Sequence, residues 1–237
     1  MRGYGQYCPV ALAAEVFAER WTPIIIRNLM IGCERFGEVL DGAPGLPRSV
    51  LSQRLRRLEA DGVITRLPGP GGPVYRLTEA GRELGDVCLA LGAWGARWRE
   101  VLPIHMDPYL ALWMLARLIE PASLPRERIV VRFDLTDRGN PGRYWIVAAR
   151  RGNEVCVEPP GFDEDGIVTT DAQWLVRWHN GTVSLAAAQK AGGMAVAAPR
   201  WLARTLGEWG RLSPYAGITH RNEHSGRTSP EDTEQAS

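Results

Sequence analysis

Between Val63 and Leu77 the chain reads VITRLPGPGGPVYRL: two short β-prone runs separated by PGPGGP. Proline cannot donate to a hydrogen-bonded ladder, and glycine brings no side chain to a core. The two runs can therefore only turn back on each other, as a hairpin whose tip reads no chemistry. Just before it, LPRSVLSQRLRRLEADGVITR (46–66) carries leucines at helical spacing, from about Pro47 to Ala60, with Gly62 as the stop. Wound at 3.6 residues per turn, Leu51, Leu55 and Leu58 stack on one side. Ser49, Gln53 and Arg56 then point the opposite way, with Ser52 and Arg57 on the flanks. A solvated amphipathic helix has the same appearance, so the neighbouring elements have to decide.

Upstream, CPVALAAEVFAE (8–19) and WTPIIIRNLMIG (21–32) have helical periodicity. Thr22 is expected as the second helix's N-cap, with Pro23 in its first turn and Gly32 as its stop. RFGEVLDGAPG (35–45) is a short third helix closed by Gly42. Downstream, residues 78–102 form a long helix capped by Thr78, with Leu84, Val87, Cys88, Leu91 and Trp94 as its apolar stripe. Three helices, the quoted helix, a hairpin and a helix make the order of a winged helix-turn-helix. In that order the quoted helix enters the major groove. Ser49, Ser52, Gln53 and Arg56 are suited to base edges and Arg48 and Arg57 to phosphates, with Arg66 and Arg76 on the hairpin strands holding the DNA backbone. Net charge is only +1, so a polyanion must meet a local patch, which 46–66 supplies. With Lys190 the only lysine, arginine in itself says little about bidentate recognition.

Residues 8–95 resemble the HxlR family of bacterial transcriptional regulators. The likeness rests on CPV, ERWTPIIIRNLMIG, RFGEVL, the quoted helix, VYRLTEAGREL and ALGAWG. The resemblance implies a homodimer on operator DNA, paired through residues 8–19 and 78–100; the stripe of Leu84, Val87, Leu91, Trp94 and Trp98 is a candidate seam, with packing within one chain as the competing reading. It also implies a possible oxidant or electrophile sensor at Cys8. A thiolate there would be favoured by the helix N-terminus, although cysteine before proline is also a common packing residue. Two copies of the reading helix would address half-sites one helical turn apart.

PIHMDP (103–108) breaks the pattern and is the expected domain boundary. This gives a DNA-binding and dimerisation domain over 1–102, a second domain over 103–213, and a polar tail over 214–237 that is expected to be disordered. The second domain reads as a helix (109–120), β-rich stretches (128–135, 143–150, 154–160) and a strand leading into a helix capped by Asp171 (167–181). A further helix (182–193), a strand (194–199) and a last helix (200–210) complete it. The fold class is thus α+β, a winged helix-turn-helix followed by an α+β domain. The second domain resembles the sterol carrier protein family, which implies an apolar ligand held between sheet and helices. Trp145, Val147, Trp174, Trp178 and Met194 are the candidate lining, and plain core is the competing reading of each.

The remaining chemistry is sparse. The four cysteines form no C-x-x-C pair, and no metal or cofactor is expected. His179 and Asp171 fall roughly on one side of a helix but lack a nucleophile motif. The acids of FDEDG (Asp163, Glu164, Asp165) are expected to be solvated. An enzyme is not expected. The partners expected are double-stranded operator DNA, a second copy of the chain and an apolar small-molecule effector, in the cytoplasm with no membrane. Two alternatives remain open: a thiol-switched repressor using Cys8, and a hydrophobe carrier whose winged helix serves only for pairing.

Overall fold

A computed structural model describes residues 3–139 and 142–221. The first half runs α1 (Pro9–Phe17), α2 (Thr22–Met30), α3 (Phe36–Asp41), α4 (Arg48–Ala60), β1 (Ile64–Leu67), β2 (Val74–Leu77) and α5 (Glu79–Trp98). This is the winged helix-turn-helix expected from the sequence. Ile25, Ile26, Val39, Leu51, Leu55, Leu58 and Ile64 make its core, all but excluded from solvent. β1 and β2 pair antiparallel, with Thr65 opposite Arg76 and Arg66 opposite Tyr75.

One cap differs from expectation. Trp21, in the left-handed region at φ 79°, precedes α2, and Thr22 lies buried inside the first turn without capping it. Thr78 does cap α5, its Oγ1 accepting from the Gly81 amide at 3.1 Å. Thr78→Ala is expected to cost about 1 kcal/mol of stability in urea unfolding, the usual loss for a threonine cap. A value within error of the parent would show that the bond contributes nothing. α5 lies close against α2 because glycines face inward. A Cβ on Gly85 would press on the Met30 side chain, and one on Gly81 would overlap the Val63 carbonyl.

The second half runs α6 (Pro108–Leu118), β3 (Arg128–Leu135), β4 (Arg143–Ala149), β5 (Gly152–Cys156), β6 (Gly166–Thr170), α7 (Ala172–His179), α8 (Leu185–Lys190), β7 (Met194–Ala197) and α9 (Arg200–Trp209). One-turn 3-10 segments stand at 103–105 and 121–123. The five strands form one sheet in the order β5-β4-β3-β6-β7, antiparallel except for the central β3–β6 pair. α6 to α9 cover one face, and their apolar sides meet Ile129, Val131, Phe133 and Ile146 in the larger core. β5 starts and ends earlier than the sequence suggests, so Pro159 and Pro160 fall outside it, as residues without an amide proton should. Asp171 caps α7, accepting from the Trp174 amide at 2.8 Å.

The boundary at 103–108 is not a clean break in packing. α6 belongs to both cores: Leu112 and Leu115 face the sheet, whereas Trp113 is buried in the winged-helix core. Gly42 makes room for that indole, since a Cβ there would overlap it. Arg117 stacks over the same ring and pairs with Glu38 at 3.7 Å. Of the expected tail, 222–237 lies outside the described residues. Residues 214–221 return to the first half, where Tyr215 leaves no space for a Cβ on Gly92 of α5.

Candidate nucleic-acid interface

α4 is positioned from both sides. The turn before it contains Gly45 at φ 81°, a conformation that an L side chain adopts only with strain. Its leucines then lock the helix onto the core: Leu51, Leu55 and Leu58 are each 2% exposed or less. The opposite face is open. Arg48, Ser49, Gln53, Arg56 and Arg57 are exposed and Ser52 is half-buried. The Arg48 guanidinium rests on the Phe36 ring, 5.1 Å from its centre, which places a cation at the start of the helix.

The hairpin is fixed beside this face through residues ahead of α3. The Tyr75 amide donates to the Glu34 carbonyl at 2.8 Å, Arg35 bridges to Val74, and Arg35 Nη1 donates to the Gly72 carbonyl. Glu34 also holds Arg76 in a two-pronged pair, Nε to Oε1 at 2.7 Å and Nη2 to Oε2 at 3.2 Å. Residues paired across β1 and β2 share a face, so Arg66 and Arg76, one step out of pairing, lie on opposite faces of the hairpin. Arg57 is paired with Asp61 at 2.9 Å, and Arg54 with Glu19 at 2.6 Å. Among the described residues, Arg48, Arg56 and Arg66 have no carboxylate within ion-pair distance.

Other candidates from the sequence fall in different places. Cys8 is the half-exposed N-cap residue of α1, unpaired like the other three cysteines. Burial raises the thiols of Cys33, to about 11, and of Cys88, making both poor nucleophiles. The five supposed lining residues of the second domain do not share one space. Side chains alternate along a strand, so Trp145 and Val147 pack with Val130 on the sheet face away from the helices. Trp178 and Met194 are buried in the core on the helix side, with half-buried Trp174 against it. Of the FDEDG acids Asp163 is exposed, as expected, but Glu164 and Asp165 are engaged. Glu164 accepts from Trp145 Nε1 at 2.8 Å and from Arg132 at 2.9 Å, and Asp165 accepts from the Val130 amide and pairs with Arg126. Asp171 is engaged as a cap, while His179, two turns on, is buried with its Nδ1 unpartnered.

The sequence profile of the HxlR-like helix-turn-helix family matches residues 16–102. YvaP of Bacillus subtilis, an HTH-type transcriptional regulator, is 34% identical over 106 residues, which are 43% of this chain and 96% of YvaP. The chain belongs to the HxlR-like helix-turn-helix family. It is a transcriptional regulator of that family, and its helix-turn-helix is a DNA-binding module. A Synechocystis regulator, sll1512, is 35% identical over 99 residues, covering 40% of this chain and 73% of its own length. The regulator Rv3095 of Mycobacterium tuberculosis is 43% identical over 106 residues, and the chain spans 65% of its length. Among solved structures, the redox regulator HypR in its reduced form is 33% identical, with coverage of 37% of this chain and 90% of HypR and a TM-score of 0.35. The family match ends at residue 102, so residues 103–221 of the HxlR-like regulator rest on their own structure. No helix among the described residues is long and apolar enough to cross a membrane.

Proposed function

We propose that two copies of this HxlR-like chain bind operator DNA, each laying α4 in the major groove with β1 and β2 alongside. The observation that carries this reading is the division of α4: its leucines are sealed in the core while Ser49, Gln53 and Arg56 stand free in solvent. Short polar side chains and a guanidinium on one exposed helix face are the equipment for reading base edges. Arg48 at the helix start and Arg66 on β1, both without carboxylate partners, suit backbone phosphates. Pairing through α5 and α1 is supported by apolar side chains left in water: Val87, Leu91 and Trp94 on α5 and Val10 and Leu12 on α1.

The second half supplies effector input. Its single sheet with all its helices on one face supports the sterol-carrier-like reading, and α6, packed into both cores, gives an input a route to the winged helix. An effector acts only through different affinities for the DNA-competent and incompetent arrangements.

Fluorescence anisotropy with a duplex selected from a random pool tests the docking. Gln53→Ala and Arg56→Ala are each expected to cost about 1–3 kcal/mol and to relax base preference. Arg48→Ala should instead weaken binding to all sequences and flatten the log–log salt slope by about one unit. If all three bind the selected duplex like the parent, α4 is not the reading helix.

A further inference from the structure

A half-open cavity of about 260 Å³ lies between the two halves of the chain. Its winged-helix wall comes from α2 and α5, and its second wall from α6, α7 and residues 213–215. Most of the surface is apolar and adaptable, with Met30, Ile31, Leu110, Met114, Leu118 and Val176 lining it. Its size lies just below the range of about 300–1,000 Å³ typical of small-molecule sites.

Two polar groups in this apolar setting are incomplete. Arg27 donates through Nε and Nη2 to Asn28 Oδ1, and through Nη2 to the Gly42 carbonyl. These bonds leave Nη1 without a protein acceptor, and among the described residues no carboxylate lies within ion-pair distance of the guanidinium. His179, only 8% exposed, also lines the cavity, and its Nδ1 has no hydrogen-bond partner. A buried ring nitrogen left unbonded is unfavourable, and so is a half-buried cation without a counter-charge. A ligand that supplies one anionic head and an apolar body gives Arg27 its missing counter-charge and covers the apolar wall.

We propose that this cavity binds an apolar organic acid, its carboxylate meeting Arg27 Nη1 and its hydrocarbon lying among the methionine and leucine side chains. This deepens the effector reading and rests on it, but moves the site away from the space between sheet and helices to the seam between the two halves. The ligand there touches α5, which carries the exposed pairing stripe, and α6, which anchors the second half. A molecule held by both walls favours the arrangement in which the walls are close, so its affinity differs between arrangements of the two halves.

The test titrates the full chain by calorimetry with sodium decanoate and, separately, with 1-decanol, and follows affinity for the selected duplex in parallel. Saturable binding of one decanoate per chain is expected, at least ten-fold tighter than 1-decanol. Arg27→Gln should weaken decanoate at least ten-fold and leave 1-decanol unchanged. Because Arg27 also bonds to Asn28 and Gly42, a second variant guards against misfolding. Leu89→Trp, at a part-exposed position on the rim, should narrow the cavity and weaken both probes at least ten-fold with an unchanged melting profile. No saturable decanoate binding, equal binding of the alcohol, or unaltered binding by the folded variants overturns the site. Intact duplex binding without decanoate binding removes the site and keeps the regulator. Decanoate binding with the expected variant losses and no duplex affinity keeps the site and removes the regulator reading.

Discussion

Trp113→Ala is expected to lose about 3–5 kcal/mol of stability and to split one thermal transition into two. The first part follows from size: the indole is 5% exposed, and truncating a buried tryptophan forfeits its transfer free energy and leaves a cavity. The second follows from position. Trp113 is the only buried member of the winged-helix core that comes from beyond residue 102 among the described residues. It enters where Gly42 leaves room for it, and the Arg117 guanidinium lies over its ring at 5.4 Å. Without it the second half keeps its own core of sheet and helices but loses its principal anchor on the first. Scanning calorimetry reads both effects. A single transition shifted by less than the equivalent of about 1 kcal/mol would show that the halves are held together elsewhere.

The second large effect is on acid stability. Burial lowers the His179 imidazole from its usual 6.5 to about 4, so the folded protein holds it neutral. As pH falls, the unfolded chain takes up this proton first and is favoured. Stability contributed by the neutral ring is complete above pH 6.5 and is lost progressively as pH falls from 6.5 to about 4, below which both states are protonated. The shift corresponds to about 3 kcal/mol across that window. His179→Met, which cannot titrate, should flatten the pH dependence of unfolding between 6.5 and 4 by about that amount. Carboxylates that titrate near the lower end are common to both proteins and cancel in the comparison. Parallel pH profiles for the two proteins would place the ring in water rather than in the core.

Much of the architecture was legible because its signals are local. Leu51, Leu55 and Leu58 announce the buried side of α4, and PGPGGP announces the hairpin tip. Thr78 and Asp171 each lie just before an apolar repeat and cap the helices expected of them. Thr22 carries the same signal and does not cap, because the chain enters α2 through Trp21 at positive φ and buries the threonine. The exposed residues of α4 were likewise readable from periodicity alone.

What the sequence by itself determined is therefore the order of the elements, the buried side of each, and the polar face that α4 turns to solvent. Only the tertiary structure decided which charges on that surface are free, since Arg76 is engaged by Glu34, 42 residues away, and Arg54 by Glu19. It also decided that the tryptophans divide between the two faces of the sheet, that α6 serves both cores, and that Arg27 and His179 line one cavity. The physical reason is range. Periodicity, caps and turns act within one or two helical turns and are written where they act. Ion pairs, shared cores and cavities join residues tens to hundreds of positions apart, and exist only once the chain has folded.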